Sequence, residues 1–151
     1  MKHILFVCSG NTCRSPMAES LFLQQLKKAG DADIVCEVQS AGVFAGAGLP
    51  ASSEAIQVTR ELGLNLSTHR SQVLRQDHLD WADLVLTMTD SHRQYILSRF
   101  EVPVRKVYTL TEFAGVGRAD VLDPYGAGID MYRQCLDQLQ TLIELIIKQI
   151  L

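Results

Sequence analysis

The chain has 151 residues, a length that fits one domain with a sizeable core, and its 47% hydrophobic content excludes a disordered chain. Net charge is −3 with a pI of about 5.7, and no run of Lys or Arg makes a basic patch, so nucleic acid and anionic membranes are poor partners. Four cysteines, at 8, 13, 36 and 135, lack zinc-type pairing, so they are expected to be reduced, with no metal or other cofactor.

Apolar runs alternate with helical patterns along the chain, the signature of an α/β fold. The expected architecture has three layers, a four-stranded parallel sheet flanked by helices, within a single domain spanning 1–151. The first strand, Lys2 to Val7, is nearly continuously apolar. It is too short for a signal peptide or a membrane span, and no later segment reaches about 18 uninterrupted apolar residues, so a cytoplasmic protein is expected.

The loop that follows, Cys8-Ser9-Gly10-Asn11-Thr12-Cys13-Arg14-Ser15, leads into a helix expected from Pro16 to Ala29. A thiol at a strand end, a polar loop and a Pro at the first helical position aim backbone N–H groups and the helix dipole at one point. An anion is expected there. A thiol beside a helix N-terminus and an arginine is expected to ionise below its free pKa of about 8.5. Arg14 offers a planar fork for two phosphate oxygens, geometry that Lys cannot match.

Further strands are expected at Asp33 to Ser40, Asp83 to Thr89 and Lys106 to Leu110. Helices are expected at Ser53 to Leu62, Ser91 to Arg99 and Ile129 to Gln149, with a weaker helical turn at Gln76 to Trp81. In the last helix, positions 132, 135, 136, 139, 142, 143, 146 and 150 form an apolar stripe with a 3.6-residue period. Two long loops, Ala41 to Ser52 and Gly115 to Gly128, are placed to reach over a site beyond the carboxyl ends of the strands.

Cys-x5-Arg-Ser after the first strand, Ser40-Ala41-Gly42 after the second, and the late Asp123-Pro124-Tyr125 resemble the low-molecular-weight protein tyrosine phosphatase family, over the whole chain. The resemblance implies Cys8 as nucleophile, Arg14 as phosphate clamp, Ser15 as the hydroxyl that stabilises the departing thiolate, and Asp123 as general acid. It implies Ser9, Gly10, Asn11, Thr12 and Cys13 around the phosphoryl group, with Tyr125 as a wall or merely a loop cap. Asn11, Ser40 and His69 match the polar network that supports the loop. Cys13 matches a second loop cysteine able to pair with the nucleophile on oxidation; simple packing is the open alternative.

Within that family, Thr12 to Glu19 and Asp123 to Tyr132 are similar to the bacterial protein-arginine phosphatases. The loop Val43 to Ala51 has Phe44 but no Trp, Tyr125 is followed by Gly126, and Thr89 stands where the tyrosine branch tends to carry Asp. A phosphoguanidinium brings donors that must find acceptors once water leaves, and Thr12 and Asp123 offer them. The resemblance therefore implies hydrolysis of phosphoarginine on protein substrates through a phosphocysteine. The rivals are a tyrosine phosphatase of the same family and, from another class, a non-hydrolytic phosphocysteine carrier or phosphate-sensing redox switch. A monomer is the favoured oligomeric state.

Other titratable groups invite plainer readings. Cys36 and Cys135 fit core positions. His3, His78 and His92 have no metal-ligand spacing and are expected at surface or edge positions, Trp81 in the core, and Asp120 and Asp130 as loop or helix-start charges.

Overall fold

The computed structural model describes residues 2–30 and 36–151. Strand β1 covers Lys2–Cys8 and helix α1 Arg14–Lys28. Then come β2 Cys36–Gly42, α2 Ser53–Arg60, α3 Gln76–Trp81, β3 Leu84–Thr87 and α4 Asp90–Arg99. A 3-10 turn Val104–Lys106 leads to β4 Val107–Thr109, α5 Leu110–Ala114 and the long α6 Ile129–Ile150. All strand pairs are parallel, in the order β2-β1-β3-β4.

The alternation along β1 sorts the helices into two layers. Ile4, Phe6 and Cys8 join the core built with α1, α2, α5 and α6, while Leu5 and Val7 face α3 and α4 through Leu79, Ala82 and Ile96. The apolar stripe of α6 buries Cys135, Leu139, Ile143 and Ile146 completely. With both faces covered, a central strand has no polar side, which is why β1 reads as an unbroken apolar run.

The expected boundaries shift where side chains cap helices. The expected fourth strand, Lys106 to Leu110, is shorter because Lys106 closes the 3-10 turn and Thr109 caps α5, its Oγ1 accepting from Glu112 N at 3.2 Å. Thr89 likewise ends the third strand by accepting from His92 N at 3.1 Å. Helix α1 begins at Arg14, so Pro16 sits in its third position, where the missing N–H belongs to a set with no intrahelical partner anyway. Residues 33–35, the expected start of the second strand, lie outside the described residues. Cys36 is only partly buried at the first position of β2, because its strand is a sheet edge. Among the described residues no helix is long and apolar enough to cross a membrane.

Candidate active site

Cys8 ends β1, the strand from which the chain order departs in both directions, and parallel sheets collect ligands at that switch point. The loop folds back over the sulfur because Asn11 takes a left-handed φ of 56°, which Asn tolerates better than most residues. Its backbone N–H then donates to Cys8 Sγ at 3.2 Å, and Ser15 Oγ lies 2.9 Å from the same sulfur. Gly42 makes this turn possible from the neighbouring strand. A Cβ there would lie 2.5 Å from Ser9 O and 2.9 Å from Asn11 N, so only glycine lets β2 pass. Beyond it, Val43 N and Phe44 N donate to the carbonyls of Cys8 and Ser9 at 3.0 and 2.9 Å, fastening the two loops together.

Above the sulfur opens a pocket of about 310 Å³. Cys8, Ser9, Gly10, Thr12, Cys13 and Arg14 form its floor, Phe44, Gly46 and Leu49 one wall, and Asp123 and Tyr125 the other. Wider polar grooves of about 580 and 660 Å³ lie along α3/α4 and beside α4/α5, but no thiol lines either, so the chemistry points to the smaller pocket. Arg14 is buried and aimed: Nη1 donates to Val121 O at 3.2 Å, and Nη2 lies 3.6 Å from Asp123 Oδ2. Asp123 itself is exposed, and its Oδ1 accepts from Tyr125 N at 3.2 Å. Tyr125 stands at the mouth, 74% exposed.

Under the floor, the completely buried Asn11 joins the polar groups into one network. Its Oδ1 accepts from Gln72 N at 2.9 Å, which fixes the amide orientation. Both Nδ2 hydrogens are then spent, one on Ser15 Oγ at 2.8 Å and one on Ser40 Oγ at 2.9 Å. Having accepted from Asn11, Ser15 has its own proton to donate to Cys8, a bond that favours the thiolate. His69 Nε2 donates to Asn11 O at 2.7 Å; burial holds its pKa down, in keeping with a neutral ring protonated on Nε2. The floor is thus a set of mutually satisfied polar groups, the condition under which a buried network rigidifies.

The expected low thiol pKa does not follow from this geometry. Burial is the largest influence on Cys8 and pushes its thiol up; bonds from Ser15, the charge of Arg14 and the Asn11 N–H pull the other way. The donors on Ser15 and Asn11, together with the charge of Arg14, are what this sulfur has to support its anion. Cys13, also a free thiol, lies 3.2 Å from Tyr132 OH and donates to Ser52 Oγ at 3.6 Å. Burial and the Cys13 contact push the Tyr132 phenol up.

A family model described as low molecular weight phosphotyrosine protein phosphatase matches residues 3–151. The chain belongs to this family. A protein-arginine-phosphatase from Geobacillus stearothermophilus is 45% identical over 141 residues, 93% of this chain and 90% of the relative. A low molecular weight protein-tyrosine-phosphatase PtpB from Staphylococcus haemolyticus is 41% identical over 141 residues, 93% and 94% of the two chains. Among solved structures, a cysteine-to-serine mutant of YwlE arginine phosphatase with a phosphorylated active-site serine superposes with a TM-score of 0.92 at 42% identity, covering 97% of this chain and 94% of its own.

For a phosphatase of this family, the site draws on residues that sequence reasoning misplaced or passed over. His78 and His92, expected at the surface, are 6% and 5% exposed. His78 accepts at Nδ1 from Arg75 N at 3.0 Å and stands 3.4 Å from Gln72 Oε1, so it steadies the residue that orients Asn11. His92 Nε2 lies 2.8 Å from Ser9 Oγ in the phosphate loop itself. Burial and the charge of Arg14 lower its pKa to about 4, against the pull of Asp120 and Asp123. One signal was available: His92 opens the helix after the third strand, at the same carboxyl edge as the thiol. Gln72 carried none, and Glu19 stood at the end of the run Thr12 to Glu19 with nothing to mark it as a partner of Ser40.

Proposed function

We propose that this chain is a protein-arginine phosphatase acting through a phosphocysteine, with its residues working as one catalytic domain on phosphorylated proteins. The observation that carries the reading is a buried guanidinium, Arg14, 3.6 Å from an exposed carboxylate, Asp123, above a thiol at the base of a pocket. Arg14 and the loop N–H groups hold the equatorial phosphoryl oxygens. The Cys8 thiolate attacks phosphorus; the S–P bond forms, the P–N bond breaks, and Asp123 gives its proton to the leaving guanidine nitrogen. Ionised Asp123 then takes a proton from water, whose oxygen attacks phosphorus. The S–P bond breaks, phosphate leaves, and Ser15 donates to the sulfur that regains its charge. Asn11, Ser40 and His69 support the loop in this scheme, while Ser9, Gly10, Thr12, Cys13 and Tyr125 surround the substrate.

Two features support arginine over tyrosine. Thr12 brings a hydroxyl acceptor to the pocket floor, where a phosphoguanidinium needs one. Phe44, 72% exposed, packs against Tyr95 in a T-shaped pair with ring centroids 5.1 Å apart, leaving Tyr125 as the other aromatic at the mouth. Phosphotyrosine remains the second reading because those rings and the 41% identity to the tyrosine phosphatase favour it. The acidic balance, with net charge −3, suits a cytoplasmic monomer that meets its substrates without nucleic acid or membrane. Side-by-side turnover of a phosphoarginine protein and a phosphotyrosine protein tests the assignment. Phosphoarginine should be preferred, and Thr12→Ile should lose that activity and gain the other; an unchanged ratio removes Thr12 from the argument.

A further inference from the structure

Helix α1 carries a carboxyl group that the scheme above does not use. Glu19 lies in its second turn, half-buried, and its Oε1 accepts from Ser40 Oγ at 3.0 Å. Burial pushes this carboxyl up and the Ser40 bond holds it down. Glu19 and His69 both line a small groove of about 190 Å³.

The direction of each bond gives Glu19 a consequence at the sulfur. Asn11 can place one Nδ2 hydrogen on Ser40 only if Ser40 turns its own proton elsewhere, and Glu19 Oε1 receives it. The Ser40 bond, together with the Gln72 N bond to Oδ1, holds the Asn11 amide in the one orientation that sends its second hydrogen to Ser15. Ser15, accepting there, is left as a donor to Cys8 Sγ at 2.9 Å. The chain therefore has an acceptor at each end, a carboxylate and a sulfur, and one double donor between them.

We propose that Glu19 is a positioning residue for Cys8: by accepting from Ser40 it fixes the donor direction of Asn11 and Ser15 toward the sulfur. This rests on the reading of Cys8 as nucleophile, but not on the choice of substrate. Arg14 is the charge that acts on Cys8 and stays untouched in every variant below.

The test compares wild type, Glu19→Gln, Glu19→Leu and Ser40→Ala. The alkylation rate of Cys8 by iodoacetamide is followed across pH by mass spectrometry of its peptide, with kcat and KM for p-nitrophenyl phosphate measured alongside. Glu19→Leu should raise the pH midpoint of alkylation and lower both its rate at pH 7 and kcat by about tenfold, with KM within about twofold. Glu19→Gln, which keeps an acceptor, should recover most of the loss. Ser40→Ala should lose as much as Glu19→Leu, and the double variant no more than either, since both cut one chain. An unshifted alkylation midpoint in Glu19→Leu, or in Ser40→Ala should the former not fold, overturns the proposal, as do losses that multiply. A midpoint shift in a protein that turns over no phosphate ester leaves this chain standing and sinks the phosphatase reading instead.

Discussion

The two loops that meet over Cys8 are built on opposite plans. The phosphate loop has its key side chains, Asn11, Arg14 and Ser15, no more than 4% exposed, and its polar atoms bond one another. The acid loop leaves the Asp123 side chain 57% exposed and is held at its base: Val121 N donates to Met88 O at 2.9 Å, Leu122 N to Gln138 Oε1 at 3.0 Å, and Asp120 Oδ1 accepts from Asp90 N at 3.0 Å. A phosphoryl group has one shape, so its cradle gains from fixed donors that need no reorganisation during reaction. A leaving group attached to a polypeptide does not, and the wall that meets it must admit chain from outside. In the proposed scheme the rigid side therefore carries the charge, and the open side the proton.

The comparison is tested most severely by Asp123→Asn. If the open loop contributes proton transfer alone, kcat should fall about 10²- to 10⁴-fold while the folded protein stays as stable as wild type, because an exposed side chain is exchanged. Thermal melting beside steady-state turnover checks both halves. A large loss of stability would mean that the Asp123 contact with Arg14 organises the floor as well, and that the two loops are not separable.

Asn11→Gly is the matching change on the rigid side, since glycine accepts the left-handed φ of 56° and so deletes the amide without adding backbone strain. Here stability and activity should fall together. Ser15 and Ser40 each lose a donor in the buried floor, at about 1–3 kcal/mol apiece, and kcat should drop by about 10- to 100-fold as Ser15 stops pointing at the sulfur. Urea unfolding and turnover read the two effects. A stable but inactive Asn11→Gly protein would show that the network serves only chemistry.

What the sequence disclosed follows from the same contrast. The phosphate loop packs thiol, turn residue, arginine and helix start into eight consecutive positions, so they could be read together as one candidate site, and the structure gathers them around one pocket. The α/β alternation was legible too, because β1 and β3 are covered on both faces and the α6 stripe is long. Beneath the loop, however, Glu19, Gln72, His78 and His92 come from three helices and a connecting segment, joined only by folding. A histidine has the same sequence signature whether it faces water or Ser9, and Thr109 and Thr89 show that one hydroxyl can turn a β-favouring run into a cap. The thiol failed expectation for a related reason: position at a strand end is written in the sequence, while the depth of burial that raises its pKa is not.

The least of these effects concerns the residue that stands between the two loops. His92 packs against Ser9 on the rigid side and senses Asp120 and Asp123 on the open side, and its Nδ1 has no hydrogen-bond partner among the described residues. Its pKa of about 4 lies below the ordinary 6.5. Between those values the unfolded chain binds a proton that the folded protein refuses, so stability rises with pH across that window and is lost as acid is added from about pH 6.5 down to about 4. His92→Gln cannot titrate, so its unfolding free energy should decline less over the same range, by on the order of 2 kcal/mol after allowance for solvent screening of a ring that is not wholly enclosed. His69 and His78, also lowered by burial, lose stability in that window in both proteins and cancel in the difference. Urea unfolding of the pair at pH 7 and pH 4.5 checks this. Parallel curves would mean that His92 takes up its proton in the folded state without cost, by turning from Ser9 toward the acid loop, and the division between a fixed floor and a movable wall would then run through α4.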